Sequence, residues 1–185
     1  MSAINYSYTL PTKIIHMGLA IFGIAAYLSA EGAEHSDAGF GYLLHAYLGL
    51  SLMAFITLRV IRGYTGSANM RFSSWSPLSK RQWLLAIDDV KSLLQFKTPE
   101  RDMHEGLAGL TQAFGLMIFA WMGTTGTALY FINESSHGAL YEIFEEAHEV
   151  GESLIPLYLL LHVGSVIVHS FAGNPIWKRM WRFTK

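Results

Sequence analysis

The chain has 185 residues, of which 51% are hydrophobic and only 15% are charged, and its formal net charge is −1. Soluble domains carry about 25% charged residues, so this composition excludes disorder and fits an ordinary soluble enzyme poorly. The small net charge gives no general attraction to nucleic acid. Because the chain has no cysteine, disulfides, iron–sulfur clusters, cysteine–zinc sites and thiol-attached haem are excluded. Eight histidines remain as candidate ligands for a redox cofactor.

Hydropathy predicts four membrane-spanning helices, at about residues 13–30, 39–61, 106–132 and 148–172. Each stretch is close to the roughly 20 residues that cross a bilayer. We do not expect the first to be a signal peptide, because no strongly basic region precedes it and no clear cleavage motif precedes Glu31. The predicted fold class is all-α, an integral membrane four-helix bundle that forms a single domain over residues 1–185.

Lysine and arginine are confined to alternate connections. All 13 lie at the start of the first span, from the last residues of the second span to the start of the third, or after the fourth. The positive-inside rule therefore predicts that both termini and the middle loop, residues 63–105, face the cytoplasm. The other two connections carry no base. With the start of the fourth span they hold nine acids, namely Glu31, Glu34, Asp37, Glu134, Glu142, Glu145, Glu146, Glu149 and Glu152.

The middle loop contains a predicted amphipathic helix. Ser79 and Gln82 fit a capping box at its start, and Pro99 stops it. One face is apolar, with Trp83, Leu84, Ile87, Val90 and Leu94, and the other is charged, with Lys80, Arg81, Asp88 and Lys91. Two placements agree with this pattern: the helix lies on the inner membrane surface, or it docks on the bundle.

Four histidines fall within or at the edge of the predicted spans, where an unpaired imidazole is costly. They are His16, His45, His148 and His162. Because 14 residues of helix rise about 21 Å and end within about 40° of whole turns, His148 and His162 share one face near opposite membrane surfaces. Antiparallel packing then pairs His162 with His16 on the cytoplasmic side, and His148 with His45 on the outer side. This arrangement predicts two bis-histidine b-type haems, with the four imidazoles as axial ligands of the iron.

Two other interpretations of these histidines remain open. They could line a pore or make hydrogen bonds in the core, or they could bind a divalent metal ion. A protein-only metal site needs further ligands at the same depth, and the span interiors offer almost no carboxylates. Glycines within the spans permit close approach to a flat cofactor, but they serve close helix packing equally well.

Four polar residues are expected at the cytoplasmic ends of the spans, near the inner haem. We call this set the inner-rim cluster: Arg59, Arg62, His104 and His169. The cluster fits haem propionate binding, proton exchange at a quinone site, or simple anchoring at the interface. His169 is not expected to replace His162 as a haem ligand on the fourth span. The 21 residues between His148 and His169 rise about 31 Å, which is the whole thickness of the hydrocarbon core. His35 and His137 fall in the outer connections and are expected to be solvated.

The sequence resembles the bacterial cytochrome b561 family, which includes the b-type subunits of membrane nickel–iron hydrogenases. The family's opening histidine motif is similar to LPTKIIHMGLA, and its second span is similar to HAYLGLSLMAFITLRVIRGYTGSANMRFSSW. The third span resembles HEGLAGLTQAFGLMIFAWMGTTG, and the fourth resembles AHEVGESLIPLYLLLHVGSVIVHSFAGNPIWKRM. Two short segments depart from the common family pattern, namely DMHEG before the third span and AGNP after the fourth.

The resemblance implies an inner-membrane cytochrome of a respiratory chain with two haems, one held by the residues matching His16 and His162, the other by those matching His45 and His148. The expected function is electron transfer between membrane quinone, either ubiquinone or menaquinone, and a periplasmic redox partner. The acidic outer face favours a basic c-type cytochrome as that partner. An electron-transfer component is favoured over a stand-alone catalyst, and a homodimer is compatible with the pattern.

Two alternative functions are also open for this sequence. Some relatives are superoxide:quinone oxidoreductases that oxidise superoxide at the outer face. Superoxide is an anion, and an outer face with nine acids and no lysine or arginine would repel it. The second alternative is a haem-free membrane module, such as a metal permease or an assembly subunit, which would show no haem absorption.

Overall fold

A computed structural model of the protein describes residues 8–34, 39–67, 70–99, 101, 104–132 and 134–181. Within these ranges the chain forms seven helices and no strand, which confirms the predicted all-α class. In chain order they are α1 (Leu10–Glu34), α2 (Phe40–Thr65), α3 (Phe72–Trp75), α4 (Lys80–Leu94), α5 (Leu107–Phe131), α6 (Glu134–Phe171) and α7 (Lys178–Trp181).

Four of the helices are long and apolar enough to cross a membrane, in agreement with the predicted spans. The qualifying segments are Leu10–Gly32, Phe40–Thr65, Leu107–Phe131 and His137–Phe171. Large apolar side chains such as Leu28, Phe131 and Leu160 point outward on these helices. A contiguous apolar surface of this kind suits a lipid environment, whereas a water-soluble monomer rarely exposes one.

The bundle is built by neighbouring contacts in chain order. α1 packs along α2, α2 along α5, and α5 along α6. The central apolar cluster joins Ile118 and Met122 of α5 to Ile155 of α6. At Gly115 an added Cβ would overlap the ring of Tyr158, so the missing side chain is what lets α6 approach α5 there.

α6 begins earlier than the sequence predicts. The fourth span was expected to start near residue 148, after a loop over residues 133–147, but the helix runs from Glu134 with a non-helical residue at His137. The extra residues include four glutamates and two alanines, which favour helix, while the glutamates keep the hydropathy of this stretch low. From the non-helical residue His137 to Phe171 the helix is about 50 Å long, against about 30 Å for the hydrocarbon layer. The acidic part of α6 therefore extends past the apolar layer.

α4 starts at the predicted cap but uses its capping residues differently. Ser79 is the N-cap, and its Oγ accepts a hydrogen bond from the backbone N–H of Gln82 at 3.3 Å. The Gln82 side chain does not close the predicted box, because its Oε1 accepts the N–H of Gly106 at 2.9 Å and its Nε2 donates to the Ser74 carbonyl at 3.3 Å. Gln82 thus ties α4 to the start of α5, and the helix ends at Leu94, ahead of Pro99.

A buried carboxylate completes the contact between α4 and α5. Asp89 is 2% exposed, and its oxygens accept the N–H of Leu107 at 2.9 Å and the Nε–H of Arg101 at 2.8 Å. At Gly106, where φ is +61°, any Cβ would overlap this carboxylate. Asp89 therefore caps the N-terminus of α5, where a negative charge is favourable.

The apolar face of α4 is not the face that docks. Gln82, Ala86 and Asp89 are the buried residues of the helix. The predicted apolar face is exposed, namely Trp83, Leu84, Ile87, Val90 and Leu94. The helix therefore contacts the bundle through a third face, which consists of the small or polar residues Gln82, Ala86 and Asp89. Placement of the apolar face on the membrane surface stays a prediction.

Candidate functional site

Charge is separated between the two ends of the bundle. We define the acidic end by those glutamates of α1 and α6 whose side chains the structure describes, namely Glu31, Glu142, Glu145, Glu146, Glu149 and Glu152. We define the basic end by Lys13, Arg59, Arg62, Arg101, Lys178 and Arg179. The sequence has no lysine or arginine between Lys13 and Arg59, or between Arg101 and Lys178. The acidic end therefore has no lysine or arginine, whereas the basic end combines its cations with the buried Asp89, which is paired with Arg101.

The structure places the predicted histidine partners side by side. At the acidic end the ring centres of His45 and His148 are 6.1 Å apart, with an angle of 87° between the ring planes. At the basic end the ring centres of His16 and His162 are also 6.1 Å apart, with an angle of 42°. We call these the acidic-end pair and the basic-end pair. Their ligation of haem iron stays a prediction.

Both spacings fit one metal atom between two imidazoles. A metal–imidazole bond is about 2 Å long and the ring centre lies about 1 Å beyond the nitrogen, so ligands on opposite sides of one metal have centres about 6 Å apart. A metal ion held by protein alone usually has at least three protein ligands. In the part of the chain that the structure describes, no group of three or more His, Asp or Glu is placed to hold one. A two-histidine site therefore fits a metal whose other ligands come from a macrocycle.

Hydrogen bonds orient both rings of the acidic-end pair. His45 Nδ1 lies 3.0 Å from the carbonyl oxygen of Ala26, which can only accept, so Nδ1 is the protonated nitrogen. His148 Nδ1 lies 2.8 Å from Thr125 Oγ1, whose own proton is directed to the carbonyl of Trp121 at 2.9 Å. In each ring Nε2 then keeps its lone pair for a metal, as in metal sites whose ligand histidines donate from the second nitrogen.

A cavity borders the acidic-end pair, and glycines leave it open. Its lining includes both histidines together with Gly49 and Gly126. A Cβ built on Gly49 would meet nothing within 4 Å, whereas one on Gly126 would come within 3.0 Å of His148 Cε1. Open space beside two neighbouring imidazoles suits a haem. Three carboxylates line the same cavity, namely Glu145, Glu149 and Glu152.

The basic-end pair has different neighbours. Tyr158 stacks on His162, with ring centres 5.5 Å apart and planes 18° apart. His16 Nδ1 is buried and has no hydrogen-bond partner among the described residues. A buried polar atom without a partner is uncommon in native structures and fits a site that a bound group completes.

The inner-rim cluster also contains buried polar atoms that have no hydrogen-bond partner among the described residues. Arg59 is 8% exposed, and its guanidinium carbon lies 5.3 Å from the Trp75 ring centre and 5.6 Å from that of Phe72. Over the described ranges, both terminal nitrogens of Arg59, Nε of Arg62 and Nδ1 of His169 are buried without a hydrogen-bond partner. Buried cationic groups require an anion or acceptor, and a haem propionate is one that fits.

His104 joins the cluster through an aromatic contact. Its ring centre lies 6.2 Å from that of Trp75 and 5.9 Å from that of Tyr8. Burial, and secondarily the charge of Arg59, lower the pKa of His104 to about 4. The imidazole is therefore neutral near pH 7, with one N–H donor and one acceptor nitrogen. Arg59 and His104 thus share Trp75 within the inner-rim cluster.

Some functional neighbours carry no sequence motif. Thr125, Tyr158 and Trp75 contact the histidines or Arg59 only after the helices pack. The one available signal was the GTTG run at residues 123–126, because a hydroxyl among glycines inside a span often bonds a neighbouring helix. His137 is exposed, as expected. His35 lies outside the described residues.

Comparison with known protein families supports the resemblance seen in the sequence. A family model described as Prokaryotic cytochrome b561 matches residues 7–183, which is nearly the whole chain and includes both histidine pairs. Comparisons with curated proteins and with solved structures give no match.

Proposed function

The chain belongs to the prokaryotic cytochrome b561 family, and on that premise we propose that it conducts electrons through two haems between membrane quinone and a periplasmic redox protein. Membership and the four apolar helices make it a multi-pass inner-membrane b-type cytochrome of electron transfer. The proposal of two haems is supported by the pair of neighbouring imidazoles at each end of the bundle. In both pairs the ring centres are 6.1 Å apart.

The residues divide the work of haem binding. His45 and His148 hold one haem, and His16 and His162 hold the other. Each bound haem supplies an iron that takes up and releases one electron. Thr125 and the Ala26 carbonyl keep the acidic-end imidazoles in the tautomer that leaves Nε2 to the metal.

The cations at the basic end suit the haem propionates there. Arg59 and Arg62 carry nitrogens that are buried without a hydrogen-bond partner in the described ranges. Guanidinium groups bind carboxylates through charge-assisted hydrogen bonds. The positive-inside rule places this end at the cytoplasmic side, with both termini. The acidic end then faces the periplasm.

A basic redox protein, of the c-type cytochrome class, fits the acidic end. Glu142, Glu145 and Glu146 are exposed on the part of α6 that extends beyond the apolar layer. The carboxylates that line the cavity connect this surface to His45 and His148. Opposite charge steers a soluble partner to such a surface and accelerates the encounter.

Reversing this charge is expected to slow the partner reaction. With Glu142, Glu145 and Glu146 all changed to Lys, electron exchange with a basic soluble cytochrome should fall by at least about tenfold at low salt. Stopped-flow absorption measures the rate. Added salt should slow the unmutated protein, because exposed charges are screened over about 8 Å at physiological ionic strength.

A matched control places the reversal at the other end. Lys80 and Lys91 are exposed on α4, and changing both to Glu should leave the exchange rate unchanged. If neither the charge reversal on α6 nor the ionic strength changes the exchange rate, the acidic end is not the docking surface. That result would favour the superoxide:quinone alternative, because a small reactant needs no such surface.

The basic end is our proposed quinone site. Quinone reduction takes up protons, and this end combines His104 and His169 with the His16–His162 haem. A neutral imidazole can donate a hydrogen bond to a quinone carbonyl. The acidic end offers mainly carboxylates, which are ionised near neutral pH and donate protons poorly.

Replacing His104 or His169 by Asn should slow quinone turnover while both haem spectra stay intact. Because the pKa of His104 is lowered to about 4, its charge is the same at pH 6 and pH 8. The His104→Asn variant should therefore lose the same factor at both pH values. His137→Asn, at an exposed histidine of the other end, is the control. If a bound quinone analogue perturbs the acidic-end haem alone, the site is on the other side.

A further inference from the structure

α4 carries apolar side chains that the bundle leaves uncovered. They recur at the three- and four-residue spacing of one helix face and are between 44% and 76% exposed; we call them the apolar stripe, namely Trp83, Ile87, Val90 and Leu94. Phe96 follows the end of the helix and is 99% exposed. The surface of a water-soluble protein rarely gathers large apolar side chains in this way, so the stripe indicates a contact that covers it.

The contact with α5 determines how deep α4 lies relative to the bilayer. The membrane-spanning segment of α5 begins at Leu107. Its backbone N–H donates to Asp89 of α4 at 2.9 Å. The N–H of Gly106 donates to Gln82 of α4, also at 2.9 Å. The docked face of α4 therefore lies at the level where α5 enters the apolar layer, which is the boundary between lipid headgroups and acyl chains.

Two lysines border the apolar stripe on the side away from α5. At 100° per residue, Lys80 and Lys91 lie within about 20° of each other and about 60° from the centre of the stripe. The buried face, with Gln82, Ala86 and Asp89, lies about 100° from that centre in the other direction. Around its axis α4 thus presents a docked face, then the apolar stripe, then a cationic edge.

The charges of this cationic edge are not neutralised by neighbouring acids. Lys80 and Lys91 are exposed, and neither has an ion-pair partner among the described residues. Arg81, which lies farther from the stripe, is paired with Glu105. The two lysines are therefore available to anionic groups at the depth of the headgroups.

We propose that α4 binds the cytoplasmic surface of the bilayer, with the apolar stripe between the lipids and with Lys80 and Lys91 on the phosphates of acidic headgroups. Helices of this pattern lie in the interface with the apolar face buried by about 5–10 Å. Lysine stems cover apolar surface while their ammonium groups reach polar surroundings, and acidic lipids attract them. The inference does not depend on the haems, because it uses only α4 and the start of α5.

Spin labels test whether the stripe is in lipid. Because the sequence contains no cysteine, Val90→Cys gives one label on the stripe. Asp88→Cys gives one on the charged side, about 160° away around the helix. The full chain is placed in lipid discs of phosphatidylcholine and phosphatidylglycerol. Relative to a neutral water-soluble nickel complex, oxygen should collide at least about fivefold more often with the Val90 label than with the Asp88 label.

Two results of this measurement would overturn the proposal. Equal access of the nickel complex to both labels would place the apolar stripe in water. Spin–spin broadening between Val90 labels, removed by dilution with unlabelled protein, would show that a second copy of the chain covers the stripe instead of lipid.

Lipid charge tests the contact with headgroups. The nickel complex should reach the Val90 label more easily in discs of phosphatidylcholine alone than in discs that also contain phosphatidylglycerol. Lys91→Gln should reduce this difference at least about twofold, because each cation near an acidic surface strengthens binding. Arg81→Gln removes the same charge from the same helix, but from a position that is paired with Glu105, and it should leave the difference unchanged.

The outcome for the lysines is separate from that for the haems. A difference that persists in Lys91→Gln, or that falls equally in Arg81→Gln, would contradict headgroup binding at the cationic edge. Haem content should stay the same in both variants, so a failure here leaves the proposed function standing.

Discussion

We expect the change of His148 to Ala to remove the acidic-end haem and to leave the basic-end haem, so that the haem content falls from the proposed two per chain to one. The physical reason is that each haem depends on two helices, and one remaining imidazole leaves the iron five-coordinate or the site empty. His45→Ala should act like His148→Ala. His16→Ala and His162→Ala should remove the basic-end haem instead. Pyridine haemochrome content and low-spin signals in electron paramagnetic resonance measure the result.

Two other histidines supply the controls for this series. His137 is exposed and His169 lies in the inner-rim cluster, so His137→Ala and His169→Ala should keep both haems. The pairing is wrong if all four ligand variants retain two low-spin haems. It is also wrong if His16→Ala and His148→Ala remove the same haem.

Changing Asp89 to Ala should destabilise the protein by about 1–3 kcal/mol, because it leaves the N–H of Leu107 at the start of α5 without its acceptor and removes one of the two carboxylates that bind Arg101. Asp88 is the matched control. Its side chain is 64% exposed, against 3% for Asp89, and both bind Arg101. Exposed ion pairs contribute about 0–1 kcal/mol, so Asp88→Ala should change little. Thermal unfolding in detergent, followed by circular dichroism, compares the two.

Asp89→Asn refines this test. The amide keeps an oxygen that can accept the N–H of Leu107, but it loses the charge that faces Arg101. Its stability should therefore fall between those of the unmutated protein and Asp89→Ala. Equal melting temperatures for Asp88→Ala and Asp89→Ala would show that the buried carboxylate does not hold α4 on α5.

Helical periodicity accounts for the part of the site that the sequence predicted. His148 and His162 lie on one face because 14 residues are close to four whole turns. Antiparallel packing then determines which histidine each one meets, and the observed ring distances agree with that geometry. Hydropathy located the spans for an equally simple reason, since helices in lipid need apolar side chains.

Other features depend on contacts between residues that are far apart in the sequence, or on a helix that forms outside the apolar layer. The acidic start of α6 is helical by propensity, which hydropathy does not detect. Gln82 matched a local capping box but bonds Gly106 instead, because α5 begins next to it in space. Thr125 orients His148 from another helix, 23 residues away. No spacing rule in a single sequence identifies such a partner.

We propose that one chain carries two bis-histidine b-type haems. The most direct measurement is the reduced-minus-oxidised absorption spectrum of the purified protein, combined with haem content per chain. We expect a sharp alpha band of b-type haem, two haems per chain and a two-step redox titration. A spectrum without an alpha band, or a content of one haem in fully loaded protein, would contradict it.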